Sequence, residues 1–397
     1  MELAPLYLQK NEERRLRNGH IWVYSNEVDS NRSPLGQFEA GQQVCIIAND
    51  GKPLGNGYVN PHSLIAARLI SRSTAHQLDR SLLVHRLNIA LALRERLFDK
   101  PFYRLVYGES DGLPGLVVDR FGDLLVVQLN TAGMEAVKAA LVEALEKVLK
   151  PAAILWRNDS SIRALEGLES YVEAALGEVP ESIEIEENGT RFEVPLLAGQ
   201  KTGWFYDHRS NRAQLQQLAH GMRVLDVFSY IGGWGIEAAV AGASEVVCVD
   251  SSSKALDQVE SNAELNGVKE RVQSIEGDAF EALKALRAER ERFDIVVVDP
   301  PAFIKRKKDA KKGIEAYRRI NQAAMQLLGK DGILISASCS FHLQREVLRE
   351  QLHQASRHLD RSLQIIGQGH QGPDHPVHPA IPETDYIKCF TGRVVTL

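Results

Sequence analysis

The chain of 397 residues has few cysteines, and no two of them lie close together. None of the four belongs to a Cys-x-x-Cys motif: Cys45, Cys248, Cys339 and Cys389. This spacing excludes a disulfide-dense secreted scaffold and a cysteine-based zinc site. His370, His375 and His378 lie near the carboxyl end, but no cysteine pair accompanies them. The sequence therefore predicts free thiols in a reducing compartment, the cytoplasm, and no bound metal.

Long apolar runs and an excess of positive charge are also missing. No run approaches the roughly 18 residues that a membrane span requires, and the amino terminus lacks the basic segment and apolar core of a secretion signal. We therefore expect no membrane partner. With 44% hydrophobic and 25% charged residues, the composition is that of a globular protein. The net charge of −5 argues against a globally basic nucleic-acid binder, but it allows a local basic patch.

The length predicts two or three domains of ordinary size. Residues 1–75 contain short strand candidates between Gly, Pro and Asn turns, which is typical of a small β-rich domain. Residues 76–184 mix strands with helical patterns and form the predicted α+β central domain. Residues 185–397 alternate apolar strands with helices, which predicts an α/β domain with a parallel sheet. The whole chain is therefore assigned to the α/β class.

Two details of the central part are specific enough to test. Residues 77–98 and 134–149 each show the periodicity of an amphipathic helix. The acidic stretch 166–187 reads as a linker followed by the first strand of the last domain.

Acidic residues follow the predicted strands of the last domain at regular places. Apolar runs at 223–228, 245–249, 272–276 and 294–298 carry or precede these acids: Asp226, Asp250, Asp278 and Asp299. Gly232 and Gly233 follow the first run, directly before a helical pattern. Parallel sheets bind ligands in the crevice beyond the carboxyl ends of their strands, so we expect these groups to line one site.

The pattern resembles a class I S-adenosylmethionine-dependent methyltransferase. A glycine turn alone would also fit a dinucleotide-binding dehydrogenase, whereas the full set of acids favours the methyltransferase. The resemblance implies that Asp250 binds the ribose hydroxyls and Asp278 the adenine amino group. It also implies that the turn at Gly232 and Gly233 leaves room for the methionine end. The alternative is that these residues are strand-end caps and turn glycines.

The amino-terminal residues resemble a PUA domain, which is an RNA-binding module. Lys10, Arg14, Arg15 and Arg17 precede the stretch Gly-His-Ile-Trp-Val-Tyr-Ser at 19–25. Composition alone also allows a solvated basic helix followed by a core tryptophan.

Further motifs extend a resemblance over essentially the whole chain. They are Gly-Glu-Ser-Asp-Gly-Leu-Pro-Gly at 108–115, Lys-Thr-Gly-Trp-Phe-Tyr-Asp-His-Arg at 201–209, Asp-Pro-Pro-Ala-Phe at 299–303 and Ser-Cys-Ser at 338–340. Together they resemble the ribosomal RNA large-subunit methyltransferase I family. Its members combine a PUA domain, a central domain and a methyltransferase domain, and they methylate carbon 5 of a cytidine in 23S ribosomal RNA. The resemblance implies S-adenosylmethionine as cofactor and adds to its binding set Thr202, Phe205, Asp207, Arg209, Phe228, Ser229 and Asp299.

The chemistry of the reaction selects catalytic candidates independently of the family. Carbon 5 of cytosine is a poor nucleophile, so a nucleophile must first add to carbon 6 and make carbon 5 enamine-like. Cys339 follows the apolar run 332–338, which places its thiol at the carboxyl edge of the sheet near Asp299. We assign Cys339 as this nucleophile and Asp299 as the acid that hydrogen-bonds ring nitrogen 3. A lone cysteine can equally be a small buried hydrophobe.

A basic run, Lys305 to Lys308, follows the Asp-Pro-Pro motif, with Lys311 and Lys312 after it. It is either a solvated face or a phosphate contact beside the catalytic loop. The predicted partner is 23S ribosomal RNA, free or in an assembly intermediate, and a homodimer is left open. Two other functions stay in view: methylation of another RNA position or a small molecule, and non-catalytic RNA binding.

Overall fold

A computed structural model describes residues 3–396, and they divide into two compact units. The first contains the chain up to Ile183 together with Pro195–Tyr206 and Pro373–Thr384. The second contains Glu184–Val194, Asp207–Gly372 and the chain from Asp385 onward. The predicted three-domain division at 75/76 and 184/185 stays a prediction. No helix within residues 3–396 is long and apolar enough to cross a bilayer.

The amino-terminal part of the first unit is a five-stranded sheet in the order β1-β3-β4-β5-β2. Its strands are β1 (Ala4–Tyr7), β2 (Trp22–Val23), β3 (Gln43–Ile47), β4 (Pro53–Val59) and β5 (Ala67–Ser71), and one helix, α1, spans Glu13–Arg17. In β3, Val44 and Ile46 are fully buried while their neighbours are half-buried. This alternation places one face of the sheet against the core, as predicted for a β-rich domain.

The rest of the first unit is built on a second five-stranded sheet, ordered β10-β9-β8-β7-β6. Its strands are β6 (Phe102–Tyr107), β7 (Leu116–Phe121), β8 (Leu124–Leu129), β9 (Ala153–Asn158) and β10 (Tyr171–Leu176). Its helices are α2 (Arg80–Leu97), α3 (Ala132–Ala136), α4 (Lys138–Leu149) and α5 (Ile162–Leu165). Leu83, Leu87, Leu141 and Leu145 of α2 and α4 pack in the core with the sheet.

Two predictions for this region are corrected. The helix predicted at 134–149 is divided, because Val137 (φ −105°, ψ 16°) interrupts it and Thr131 caps a separate short helix. The stretch 166–187 ends in a strand as predicted, Ser182–Glu187, but the part before it is not simply a linker, because Tyr171–Leu176 pairs with β9 as the edge strand of the sheet. None of the residues of this strand is buried, so it lacks the apolar alternation that marks a strand in sequence.

Side chains join the two sheets of the first unit. The Tyr58 hydroxyl donates to the carbonyl of Pro114 at 2.9 Å, and the Arg68 guanidinium pairs with the buried Glu166 carboxylate at 3.0 Å. Gly133 is required at this junction, since a Cβ there would lie 2.2 Å from the Tyr58 ring. The β-rich part and the central part are therefore packed as one body.

The second unit contains a seven-stranded sheet in the order β15-β14-β13-β16-β17-β19-β18. Its strands are β13 (Arg223–Val227), β14 (Glu245–Asp250), β15 (Val272–Glu276), β16 (Phe293–Val298), β17 (Leu328–Ser338), β18 (Ser362–Gly369) and β19 (Lys388–Val395). A separate hairpin is formed by β11 (Ser182–Glu187) and β12 (Thr190–Pro195). The helices are α6 (Arg209–Ala219), α7 (Gly233–Val240), α8 (Ser253–Leu265), α9 (Ala279–Ala288), α10 (Ala310–Leu327) and α11 (Arg345–His358).

Strands β13 to β17 of this sheet are parallel, and β19 is antiparallel to both of its neighbours. Because both faces are covered, the central strands are continuous apolar runs, such as Ile295–Val298, all of which are buried. Strand order reverses beside β13, with β14 and β15 on one side and β16 and β17 on the other. A crevice at the carboxyl ends is expected at such a reversal. The predicted α/β fold class is confirmed.

Candidate functional site

The strand register brings the predicted acids to one edge of the sheet. Val227 of β13 pairs with Val249 of β14 and with Val298 of β16. Asp250 directly follows Val249, and Asp299 directly follows Val298. The two acids therefore lie at the same end of the paired strands. Val298 in turn pairs with Ser336, three residues before Cys339. The predicted groups on β14, β16 and β17 are therefore neighbours at the carboxyl edge.

The turn between β13 and α7 is more tightly bent than its two glycines suggest. Phe228 and Tyr230 both have positive φ, at 68° and 49°, and Gly232 follows at 87° as the residue before α7. Ser229 is buried, and its amide donates to the Val249 carbonyl at 3.0 Å. Left-handed backbone is uncommon for residues other than glycine, and such residues concentrate at ligand sites. The backbone of this turn therefore lies at the carboxyl end of β13, where the crevice is expected.

The buried side chain of Asp226 stabilises this turn from the protein interior. It is fully buried, and one carboxylate oxygen accepts a hydrogen bond from the Gly235 amide at 2.9 Å. Burial, together with the charges of Asp299 and Asp250, raises the pKa of Asp226 to about 7, against the lowering effect of the Gly235 hydrogen bond. The acid therefore supports the first turn of α7, at the glycine that packs against Cys248.

The raised pKa of Asp226 predicts a pH-dependent stability. The protonated acid is favoured in the fold, so its contribution is complete below about pH 4 and is lost as the pH rises through about 7. Asp226→Asn stays neutral at every pH. As the pH rises from 4 to 8, the free energy of unfolding of the wild type should therefore fall by up to about 4 kcal/mol relative to that of Asp226→Asn. Urea unfolding at both pH values measures the difference. Asp257→Asn, an exposed acid on α8, is the control, and parallel curves for Asp226→Asn and wild type would contradict the prediction.

Asp250 and Asp278 lie at two successive strand ends. The Asp250 oxygens accept hydrogen bonds from the Tyr230 and Ser252 amides, both at 2.9 Å. Asp278 is exposed and caps α9 through the Phe280 amide at 2.9 Å. A Cβ on Gly277, the preceding residue, would meet no atom within 4 Å. Both acids have the capping contacts of the alternative interpretation, and the space beside Gly277, next to Asp278, is open.

Asp299 is held by two side chains that the sequence did not single out. The Trp234 indole N–H donates to one carboxylate oxygen at 3.0 Å, and His208 Nε2 lies 3.4 Å from the other. The His208 and Trp234 rings are 5.4 Å apart. The Asp299 side chain stays one-fifth exposed, so its remaining lone pairs face the crevice. The indole and imidazole thus fix the orientation of this carboxylate.

A hydroxyl network surrounds Cys339. Ser338 donates to the Tyr317 hydroxyl at 2.8 Å, and the Tyr317 and Ser340 hydroxyls are 2.9 Å apart. Ser340 also accepts from the Ile304 amide at 3.3 Å. The segment around Cys339 is therefore tied to α10 and to the loop that follows Asp299.

Among the four cysteines, only Cys339 combines partial exposure with this edge of the sheet. Cys248 and Cys389 are buried, and burial raises the pKa of both thiols. Cys45 is half-buried but belongs to β3 of the first unit.

The remaining predicted cofactor residues have different surroundings. The Asp207 carboxylate accepts from the Tyr386 hydroxyl at 2.5 Å, and Arg209 is buried against Glu187 at 3.1 Å. Thr202 and Phe205 belong to the first unit, where the Lys201 ammonium lies 4.9 Å from the Phe205 ring centre. The cofactor role of these four residues stays a prediction.

The basic run after the Asp-Pro-Pro motif is exposed. Lys305, Lys307 and Lys308 form no ion pair with any residue in the range 3–396, whereas Arg306 pairs with Asp309 at 3.1 Å. Within that range, no cluster of three His, Cys, Asp or Glu side chains could hold a metal ion.

Comparison with known proteins identifies two families along the chain. Residues 110–381 match the S-adenosylmethionine-dependent methyltransferase family, and residues 6–72 match the PUA-like domain. The ribosomal RNA large subunit methyltransferase I of Erwinia tasmaniensis is 38% identical over 98% of this chain and 99% of its own length. The protein of that name from Citrobacter koseri is 37% identical, with the same coverage.

Solved structures share the fold at lower identity. The crystal structure of SMU.776 complexed with SAH superposes with a TM-score of 0.84 at 21% identity, covering 98% of this chain and all (100%) of that one. A second structure, from Streptococcus mutans, gives a TM-score of 0.83 at 22% identity with the same coverage.

Proposed function

The chain belongs to the ribosomal RNA large subunit methyltransferase I family, and we propose that it transfers a methyl group from S-adenosylmethionine to carbon 5 of a cytidine in 23S ribosomal RNA. The observation that supports this function is that Asp299 and Cys339 follow the paired parallel strands β16 and β17, within a chain that matches this family over 98% of its length. The PUA-like domain and the exposed lysines account for an RNA substrate.

We propose that the cofactor lies across the carboxyl ends of β13, β14 and β15. Asp250 binds the ribose hydroxyls, and Asp278 binds the adenine amino group in the open space beside Gly277. The bent backbone from Phe228 to Gly233 accommodates the methionine end. The cofactor supplies an electrophilic methyl group, which has to face the substrate base near Asp299.

The protein's own residues perform the remaining steps. Cys339 adds to carbon 6 of the base, and Asp299 hydrogen-bonds ring nitrogen 3 as the electron density moves there. Carbon 5 would then take the methyl group, and the sulfonium of the cofactor would leave as a neutral thioether. Carbon 5 would afterwards lose its proton to water, and the electrons of that bond would re-form the double bond to carbon 6 and release the Cys339 thiolate. The target base must leave its stack to reach the thiol, as for other base-modifying enzymes. We therefore propose as substrate an RNA that is free or in an assembly intermediate, within the cytoplasm. A homodimer stays a prediction.

Mass-spectrometric mapping of modified nucleosides tests the function directly. Ribosomal RNA from cells that lack this protein should lose 5-methylcytidine at one position of 23S RNA, and the purified protein should restore it. Loss of a different modified nucleoside would instead favour the alternative of another RNA position, and an unchanged map would favour non-catalytic RNA binding.

Removing the Asp250 carboxylate should weaken cofactor binding. Asp250→Ala should cost about 1.5–3 kcal/mol, because charge-assisted hydrogen bonds to the ribose are removed. Calorimetric titration with S-adenosylmethionine measures the effect, and Asp257→Ala on α8 is the exposed control. Affinity equal to wild type in Asp250→Ala would remove this residue from the proposed site.

The unpaired lysines should contribute to RNA affinity. Replacing Lys305, Lys307 and Lys308 by Ala should lower the slope of log affinity against log salt by about 0.7–0.9 for each phosphate that the protein no longer neutralises. Cofactor affinity should stay the same. A triple Ala variant of Lys269, Lys284 and Lys330, which are also exposed, is the charge-matched control. Equal slopes for the two triple variants would identify the run as a solvated face.

A further inference from the structure

Lys388, the first residue of β19, is a buried lysine that the proposed mechanism does not use. It is 6% exposed, and no carboxylate within residues 3–396 lies at ion-pair distance from its ammonium group. Burying a charge without a partner is costly, so lysine is seldom found in such a place without a reason.

Lys388 contacts the residues immediately before and after Cys339 in the sequence. Its ammonium donates to the Ser340 carbonyl at 2.9 Å and to the Tyr386 carbonyl at 3.0 Å. Its backbone pairs with Ser338 in the antiparallel ladder between β17 and β19. Ser338 and Ser340 are the two neighbours of Cys339. The side chain and the strand of Lys388 therefore fix the main chain immediately before and after the thiol.

Two negative groups, Asp385 and the Cys339 thiolate, act on the positive charge of Lys388. Burial and the nearby charge of Arg345 lower the pKa of Lys388 to about 8, against the opposing effect of the negative charges of Asp385 and Cys339. From α10, the group that faces this segment is the Tyr317 hydroxyl, whose pKa is raised by burial. Arg345 of α11 uses its guanidinium on the Gly369 and Ile387 carbonyls.

We propose that Lys388 is a positioning residue for Cys339: its ammonium fixes the backbone at Ser340 and favours the thiolate, which is the form that adds to the base. The proposal rests on Cys339 being the nucleophile of the proposed reaction. At pH 7, thiolate formation releases the thiol proton to solvent, and Lys388, with a pKa of about 8, keeps its own proton. A cation beside a thiol favours the charged form by electrostatic attraction.

The rate of Cys339 alkylation by iodoacetamide, followed against pH by peptide mass spectrometry, tests this without RNA. The wild-type midpoint should lie below about 8.5, the ordinary value for a thiol. Lys388→Gln keeps an N–H donor but removes the charge, and Lys388→Met removes both. Both should move the midpoint upward by about one pH unit, which is roughly tenfold slower alkylation at pH 7. Lys388→Arg should keep most of the wild-type behaviour, and Arg393→Met, at an exposed site of β19, should leave the midpoint unchanged.

Two results would overturn the proposal. One is a wild-type midpoint at or above about 8.5, which needs no variant to measure. The other is an unchanged midpoint in a folded Lys388→Gln or Lys388→Met protein, with folding checked by S-adenosylmethionine affinity. In methylation assays, Lys388→Gln should lower kcat with little change in KM for RNA. Alkylation is measured without substrate, so it tests the role of Lys388 even if the protein does not methylate RNA. Absence of RNA methylation would count only against the proposed function.

Discussion

Cys339→Ala should abolish methyl transfer, lowering the rate by at least roughly 1,000-fold, because the step that makes carbon 5 nucleophilic is removed. Affinity for S-adenosylmethionine and for RNA should be retained, since the thiol is not a binding contact. Cys45→Ala, which removes the other partly exposed thiol, is the matched control and should be as active as wild type. A Cys339→Ala protein that methylates RNA at a rate near wild type would exclude the thiol mechanism.

Trapping with 5-fluorocytidine tests directly whether Cys339 forms a covalent bond to the target base. RNA with this base at the target should hold the enzyme covalently, because fluorine cannot leave carbon 5 as a proton does and elimination of the thiol stalls. The adduct should form with wild type and Cys45→Ala and be missing with Cys339→Ala. An adduct mapped by mass spectrometry to a different residue would identify another nucleophile.

Asp299→Asn should lower the rate of methylation by roughly 100-fold, a typical contribution of a positioned acid or base. The amide can still accept from Trp234 and form a hydrogen bond, but it cannot supply or share a proton with ring nitrogen 3. Because the carboxylate is held by Trp234 at 3.0 Å and faces His208 at 3.4 Å, the substitution should change the chemistry more than the fold.

Single-turnover kinetics of adduct formation measures this effect separately from RNA binding. Asp294→Asn is a useful control, since that acid is exposed at the opposite end of β16 and contacts the Arg223 amide. Adduct formation in Asp299→Asn as fast as in wild type would mean that this acid acts elsewhere, for example on the cofactor alone.

Much of the fold of the second unit could be predicted, because its central strands are covered on both faces. Such strands are continuous apolar runs, and the predicted bounds 294–298 agree to one residue with β16 (Phe293–Val298). The predicted bounds 272–276 also agree with β15 (Val272–Glu276), although this is an edge strand with no buried residue. The exposed edge strand Tyr171–Leu176 gave no such signal, since its strand structure depends on pairing with β9. The division of the helix at Val137 was missed for a similar reason, because the apolar periodicity continues across it.

The sequence by itself determined the class of protein and the candidate groups. Apolar runs ending in Asp250 and Asp299 predict an acid-lined sheet edge, because a buried strand can be recognised from the apolar residues that follow one another in the sequence. The family motifs pointed to cytidine methylation, and the matches over 98% of the chain support it.

Only the tertiary structure decided what surrounds those groups. Trp234 and His208 meet Asp299 across 65 and 91 residues of sequence, and the Lys388 ammonium reaches the Ser340 carbonyl across 48. These contacts follow from strand order and from the antiparallel return of β19, which no local periodicity encodes. A lone cysteine and a lone lysine are therefore ambiguous as residues, and the roles proposed for Cys339 and Lys388 depend on the antiparallel ladder that pairs Ser338 with Lys388.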